Sequence, residues 1–231
     1  MPIHYWIFVT LTLLLTSVVG YGVFTTNRLL RTWQPDRNLM LIPGENILRL
    51  VLVSFCIMLG LISGLSRTQL GWVFDQGVQQ LFIDCLWGCL WGSGLALFFY
   101  STTRWVIQSS GQRFYSAVVI KAIVPQNQRE LRLVMLAMIP VVGLEELLFR
   151  SLLLGGLTPI LPAAILILVS GLLFGVMHIP QGIWGVVGAA AAGMLFGLLF
   201  LKTGSLLMPL VAHYVANVAQ IGQAMRLREQ L

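Results

Sequence analysis

Apolar runs separated by short polar breaks organise this chain from end to end. A membrane-spanning helix needs about 20 consecutive, mostly apolar residues. Seven stretches meet or approach that length: 3–24, 47–65, 78–100, 131–154, 161–179, 183–201 and 205–224. A loop with Arg28, Arg31, Asp36, Arg37 and Glu45 follows the first. Arg67 and Asp75 mark a short turn after the second. The third holds Asp84, Gly88, Trp91 and Gly92, and its small residues suit close helix contact. The longest polar stretch is 102–130, where Arg104, Gln112, Arg113, Lys121 and Arg129 alternate with Trp105, Phe114, Tyr115, Val118 and Val119. That pattern predicts an amphipathic segment lying on the membrane surface. Gly155, Gly156 and Pro159 end the fourth run, and Pro180 ends the fifth. Gly193 and Gly197 give the sixth a small-xxx-small face. The pattern predicts an all-α, polytopic membrane protein with about seven transmembrane helices and one interfacial segment. It forms a single membrane domain over 1–231, with no chemical motif in 1–100 and all the candidate chemistry in 131–220.

Composition agrees with the pattern. Hydrophobic residues make up 58% and charged residues 10%, where a soluble domain carries about 25% charged residues; the mean hydropathy is +0.88. The first run lacks a basic leader and is longer than the apolar region of a signal peptide, so it reads as a retained span. The net charge of +6 is not a nucleic-acid signal, because the basic residues fall mostly in short loops. Arg28, Arg31, Arg37, Arg49, Arg104, Arg113, Lys121, Arg129, Arg132, Arg226 and Arg228 fall on one side, and Arg67 and Lys202 on the other. The positive-inside rule then places the N-terminus outside and the C-terminus in the cytoplasm, in a plasma or inner membrane. Cys56, Cys85 and Cys89 all lie in apolar runs and imply no disulfide framework.

Candidate chemistry sits where charge has no ordinary place. The fourth run contains Glu145, Glu146 and Arg150. A charged side chain at bilayer depth costs about 3 kcal/mol on insertion scales, so the cluster needs compensation. Glu146 and Arg150 are four apart on one helix face and can pair. Glu145 is turned about 100° away and is left free to face a cavity. The fifth run ends at Phe174-Gly175-Val176-Met177-His178, and the seventh carries His213 and Asn217 on one face. A carboxylate and an imidazole can hold and deprotonate a water. A second imidazole and an amide can donate to an oxyanion. The same groups could ligate zinc through Glu145, His178 and His213, although no His-Glu-x-x-His helix is present. A structural polar cluster that pins helix packing accounts for the same residues. By a straight-helix count, His178 falls roughly 9 Å nearer the cytoplasmic face than Glu145 and His213, which requires a tilt or a displaced fifth helix.

Glu145-Glu146-x-x-x-Arg150, Phe174-x-x-x-His178 and His213-x-x-x-Asn217 resemble the three motifs of the CaaX protease and bacteriocin-processing (CPBP, or Abi) intramembrane proteases. Gly193-Met194-Leu195-Phe196-Gly197 and Thr203-Gly204-Ser205-Leu206 are also similar to that family. The resemblance implies a membrane protease of eight or fewer helices with a cavity near the cytoplasmic side, acting on a protein or peptide substrate in or at the bilayer. It implies that Glu145 activates water with His178, and that His213 and Asn217 stabilise the oxyanion. Glu146, Arg150 and Phe174 would be supporting residues. It leaves both a metal-free glutamate mechanism and a zinc-dependent one open, and a bacteriocin self-immunity role or a non-proteolytic scaffold beside them. Ser151 stands where the family often has glycine. A transporter is disfavoured, because no matched broken helices occur in two halves.

Overall fold

The computed structural model describes residues 1–33, 35–73, 77–110 and 121–226. In hydrocarbon each backbone N–H and C=O must find its partner within the protein, and the apolar runs do so by forming helices. These are α1 (Ile3–Thr32), α2 (Pro43–Ile62), α3 (Val78–Ser110), α4 (Gln128–Glu146), α5 (Ala163–Val176), α6 (Ile183–Thr203) and α7 (Leu207–Arg226). Helices α1, α2, α3 and α6 are long and apolar enough to cross a membrane. The chain is an all-α polytopic membrane protein.

The helix ends follow local chemistry. Pro43 opens α2 at a position where its missing N–H costs nothing. Asn127 caps α4 by accepting from the Glu130 N–H at 2.9 Å, and Glu130 accepts in return from the Gln126 N–H at 2.8 Å. Two otherwise unpaired amides are satisfied at that end. Gly204, at φ 63°, closes α6 in the left-handed conformation that glycine adopts freely.

Three elements differ from the simple pattern. Residues 147–155 continue α4 as a nine-residue π-helix, not as ordinary α-helix. The segment is held at its far end, where Ser151 Oγ donates to the Leu70 carbonyl at 2.8 Å and the Tyr5 hydroxyl to the Gly156 carbonyl at 3.0 Å. Helix α5 has only 14 residues, because Pro180 blocks its continuation and a 3₁₀ turn (Ile179–Gln181) takes over. Helix α3 runs through Thr102–Ser110, the first part of the expected surface segment; 111–120, including Gln112, Arg113 and Tyr115, lie outside the described residues, as does Arg228.

Small residues set the helix spacing around the site. A Cβ on Gly92 of α3 would lie 2.4 Å from the Ala212 carbonyl oxygen of α7, and one on Gly88 2.9 Å from the Met208 oxygen. A Cβ on Gly175 of α5 would lie 2.7 Å from the Val186 oxygen of α6. The backbones of α3 and α7, and of α5 and α6, therefore approach to distances that only glycine permits.

Candidate active site

Glu146 and Arg150 form the expected pair, with Arg150 Nη1 3.0 Å from Glu146 Oε1 and both side chains fully buried. A guanidinium in this setting needs more than one partner. Its Nη2 donates to the Gly193 carbonyl at 3.1 Å, a bond that reaches from the π segment to α6. Its charge also lies over three aromatic rings, 4.7 Å from the Phe174 ring centre, 5.2 Å from that of Phe196 and 5.9 Å from that of Phe149. Cation–π contacts in desolvated sites are worth about 2 kcal/mol.

His213 enters this cluster from α7. Its Nδ1 lies 2.8 Å from Glu146 Oε1, and its Nε2 3.4 Å from Glu145 Oε2. The imidazole thus bridges the two adjacent carboxylates. Carboxylate oxygens only accept, so the Nδ1 side carries the proton that Glu146 receives. Phe196 stacks on the other face of the ring at 4.9 Å and 24°. The ring is fixed on three sides.

Glu145 differs from its neighbour. Its side chain is 27% exposed, against 0% for Glu146. Its Oε2 is close to His213 but has no aligned hydrogen bond among the described residues. Arg150 counters Glu146 directly and acts on Glu145 from farther away.

His178 follows the last turn of α5. Its Nδ1 lies 2.7 Å from the Phe174 carbonyl, so the ring folds back along the helix axis. The ring rests 4.6 Å from Phe174, whose other edge meets His213 at 5.6 Å. The depth conflict expected from a long, straight fifth helix does not arise, because α5 is short and His178 lies beyond its end. Asn217 is one turn from His213, and its amide donates to the soft Met138 sulfur at 3.7 Å.

His178, His213 and Asn217 line one cavity of about 150 Å³. On α6 the small residues Gly185, Gly188, Ala189 and Ala192 line that cavity between Trp184 and Phe196. Leu95 and Phe99 of α3 stand among the other lining residues. With Gln181 and Gln220 also in its lining, the cavity is a mostly apolar slot with a few polar groups, the kind that can hold an extended chain.

Residues 127–219 match a protein-family signature described as Type II CAAX prenyl endopeptidase Rce1-like. That segment is similar to the Rce1-like family. No curated protein and no solved structure matches the chain. The matched segment spans α4, the π-helix, α5, α6 and α7 as far as 219, and contains Glu145, Glu146, Arg150, Phe174, His178, His213 and Asn217, while Leu95 and Phe99 lie outside it. The match supports a CAAX-type intramembrane endopeptidase in general terms.

Zinc was the alternative for Glu145, His178 and His213. Nδ1 of His213 is engaged by Glu146 and Nδ1 of His178 faces a backbone carbonyl, which leaves the two Nε2 atoms as the imidazole donors, and a guanidinium lies inside the cluster. Among the described residues no three His, Cys, Asp or Glu side chains are arranged around one ion position.

Three contributors escape the sequence reading. Phe196 as a stacking partner and Gly193 as a hydrogen-bond acceptor lie in a segment flagged only for packing and resemblance. Arg49, counted with the loops, stands in the second turn of α2. A charge within a predicted span was the available signal.

Proposed function

We propose that this chain hydrolyses a peptide bond of a membrane-associated substrate with a water activated by Glu145. The observation that carries the reading is the unequal state of the two adjacent carboxylates. Glu146 is fully buried and holds both Arg150 and His213 through Oε1, while Glu145 is 27% exposed and stands 3.4 Å from His213 Nε2.

In this reading Glu145, with His178 nearby, takes a proton from water as the water oxygen bonds to the carbonyl carbon. The carbonyl electrons move onto oxygen. His213, in its imidazolium form, gives its Nε2–H to that oxyanion, and Asn217 gives its amide N–H. The C–N bond then breaks and the proton held by Glu145 passes to the leaving amine. Glu146 and Arg150 support this chemistry by fixing His213. Phe174 supports it by separating the two imidazoles at a set distance.

We further propose that the N-terminus faces outward and that the cavity opens toward the cytoplasmic side of a plasma or inner membrane. Contacts at the two ends of the bundle support this. Asn38 in the first loop donates to the Ile123 carbonyl, bringing two basic loops together. At the opposite end the Leu206 N–H donates to the Gly71 carbonyl, between the sparsely charged loops. The partners are a peptide substrate and the bilayer, with no nucleic acid.

The test is cleavage of membrane peptides by purified wild type against Glu145→Gln, each with and without a chelator. Loss of cleavage in the variant, with wild type insensitive to the chelator, supports the mechanism. Chelator-sensitive cleavage would overturn its metal-free form. Unchanged function in Glu145→Gln would leave a scaffold or self-immunity protein in place of the protease.

A further inference from the structure

The cavity is lined by two carboxamides that the hydrolysis itself does not use, Gln181 and Gln220, both partly buried. Gln181 ends the 3₁₀ turn that follows His178, and its backbone N–H donates to the His178 carbonyl at 2.9 Å. Its side chain lies across Gly185 at the start of α6. A Cβ on Gly185 would stand 2.4 Å from Gln181 Cβ and 3.1 Å from its Oε1, so only glycine leaves that room. Gln220 stands on the α7 face that carries His213 and Asn217 into the cavity, at successive spacings of four and three. Each imidazole thus has a carboxamide beyond it on its own segment of chain. Helices α6 and α7 are joined by a short turn at Gly204 and run antiparallel, with His213 stacked on Phe196. Moving from His213 to Gln220 on α7 therefore leads toward the Gly185 end of α6, where Gln181 lies. The two carboxamides stand near one end of the cavity, on different walls.

Hydrolysis engages one peptide carbonyl, at His213 and Asn217. An extended substrate brings further N–H and C=O groups beside it, and in an apolar slot within the bilayer these need partners from the protein. A carboxamide meets both needs, since it carries two N–H donors and an acceptor oxygen and adds no charge. The spacing suits such a chain. From His213 to Gln220 the helix rises about 10 Å, which an extended chain covers in about three residues.

Building on the protease reading, we propose that Gln181 and Gln220 grip the main chain of the bound peptide from two sides, with Gln220 about three residues from the bond presented to Glu145. Each accepts a substrate backbone N–H on Oε1 and donates Nε2–H to a substrate carbonyl. They are positioning residues: they fix the register of the chain and so select which carbonyl meets the base. The substrate class this grip takes is an extended apolar segment, read through its peptide groups. A segment that stays helical keeps its N–H and C=O groups paired within itself and offers nothing to the two carboxamides.

Binding is measured on the Glu145→Gln protein in detergent, so that no turnover intervenes. The probe is an apolar hexapeptide, acetylated and amidated so that neither terminus is charged. In a set of its analogues one amide N–H at a time is replaced by an ester oxygen, which removes a donor and adds no bulk. Esters at two positions are expected to weaken binding by about 3- to 10-fold, the range of a neutral hydrogen bond. Adding Gln220→Met should erase the loss at one position, and Gln181→Met the loss at the other. Gln220→Glu and Gln181→Glu keep the acceptor oxygen, so the loss should persist in them. They carry the test if a methionine variant does not fold, and a merely structural role predicts no such split. Equal binding of every ester, a loss that survives both methionine variants, a loss that maps to one glutamine alone, or no binding of the parent peptide overturns the inference. Cleavage by the protein with Glu145 intact is read separately. Glutamine-dependent ester positions without any cleavage keep the grip and remove the protease reading; cleavage with all esters bound alike does the reverse.

Discussion

Glu146 is fully buried, with one oxygen shared between a guanidinium and an imidazole, whereas the Glu145 side chain is 27% exposed. Exposure is what lets a carboxylate meet water. Glu145→Gln keeps size and removes the base, so peptide cleavage should fall by about 10²–10⁴-fold. Its melting temperature in detergent should stay close to wild type, since Arg150 is paired elsewhere. Asn217→Ala should lower turnover by about 10²–10³-fold, as removal of one oxyanion donor does. Arg150→Ala is a different kind of change. It leaves Glu146 buried with its strongest partner gone, at a cost of about 3–5 kcal/mol. Thermal melts and folded yield should both drop, and a variant that melts like wild type would remove Arg150 from its structural role. The Glu146–Arg150 pair was legible in the sequence because it is local, one helical turn long. The bridge from His213 to both carboxylates was not, since it joins residues 67 apart through a fold that the sequence states only as hydrophobicity.

At the scale of helices, the site depends on how closely α5 approaches α6. Gly175 allows that approach, and Gly171 and Gly193 line the same seam. Gly175→Leu would drive a side chain into the Val186 carbonyl and push α5 away, with His178 at its end. Overpacking of this kind costs about 1–3 kcal/mol. Cleavage should fall in step with the melting temperature, and full activity in a folded Gly175→Leu protein would show that His178 is not placed by this seam. Helix positions could be read from apolar run length, because the bilayer imposes that length. The π-helix could not, because nine residues of nearly continuous apolar character carry no period to distinguish i→i+4 from i→i+5 bonding. Wider turns of this type recur at functional sites. Here the segment carries Arg150 to the Gly193 carbonyl while Ser151 ties the next position to Leu70.

Across the whole molecule, the charge distribution makes the orientation measurable. Single cysteines introduced beside Lys121 or Arg226 should react with an impermeant reagent only from the cytoplasmic side, and one beside Arg67 only from outside. The reverse pattern would invert the proposed topology. The shortness of α5 reaches beyond the protein into its solvent. Fourteen residues rise about 21 Å, against a hydrocarbon layer of about 30 Å. The difference is hydrophobic mismatch, which a bilayer meets by thinning or by admitting headgroups at the short helix. His178 lies two residues past the last residue of this short helix, so local thinning at that end would bring water and lipid headgroups toward the imidazole. Reconstitution in lipids of graded acyl-chain length should therefore give faster cleavage in thin bilayers than in thick ones, with the protein equally folded in both.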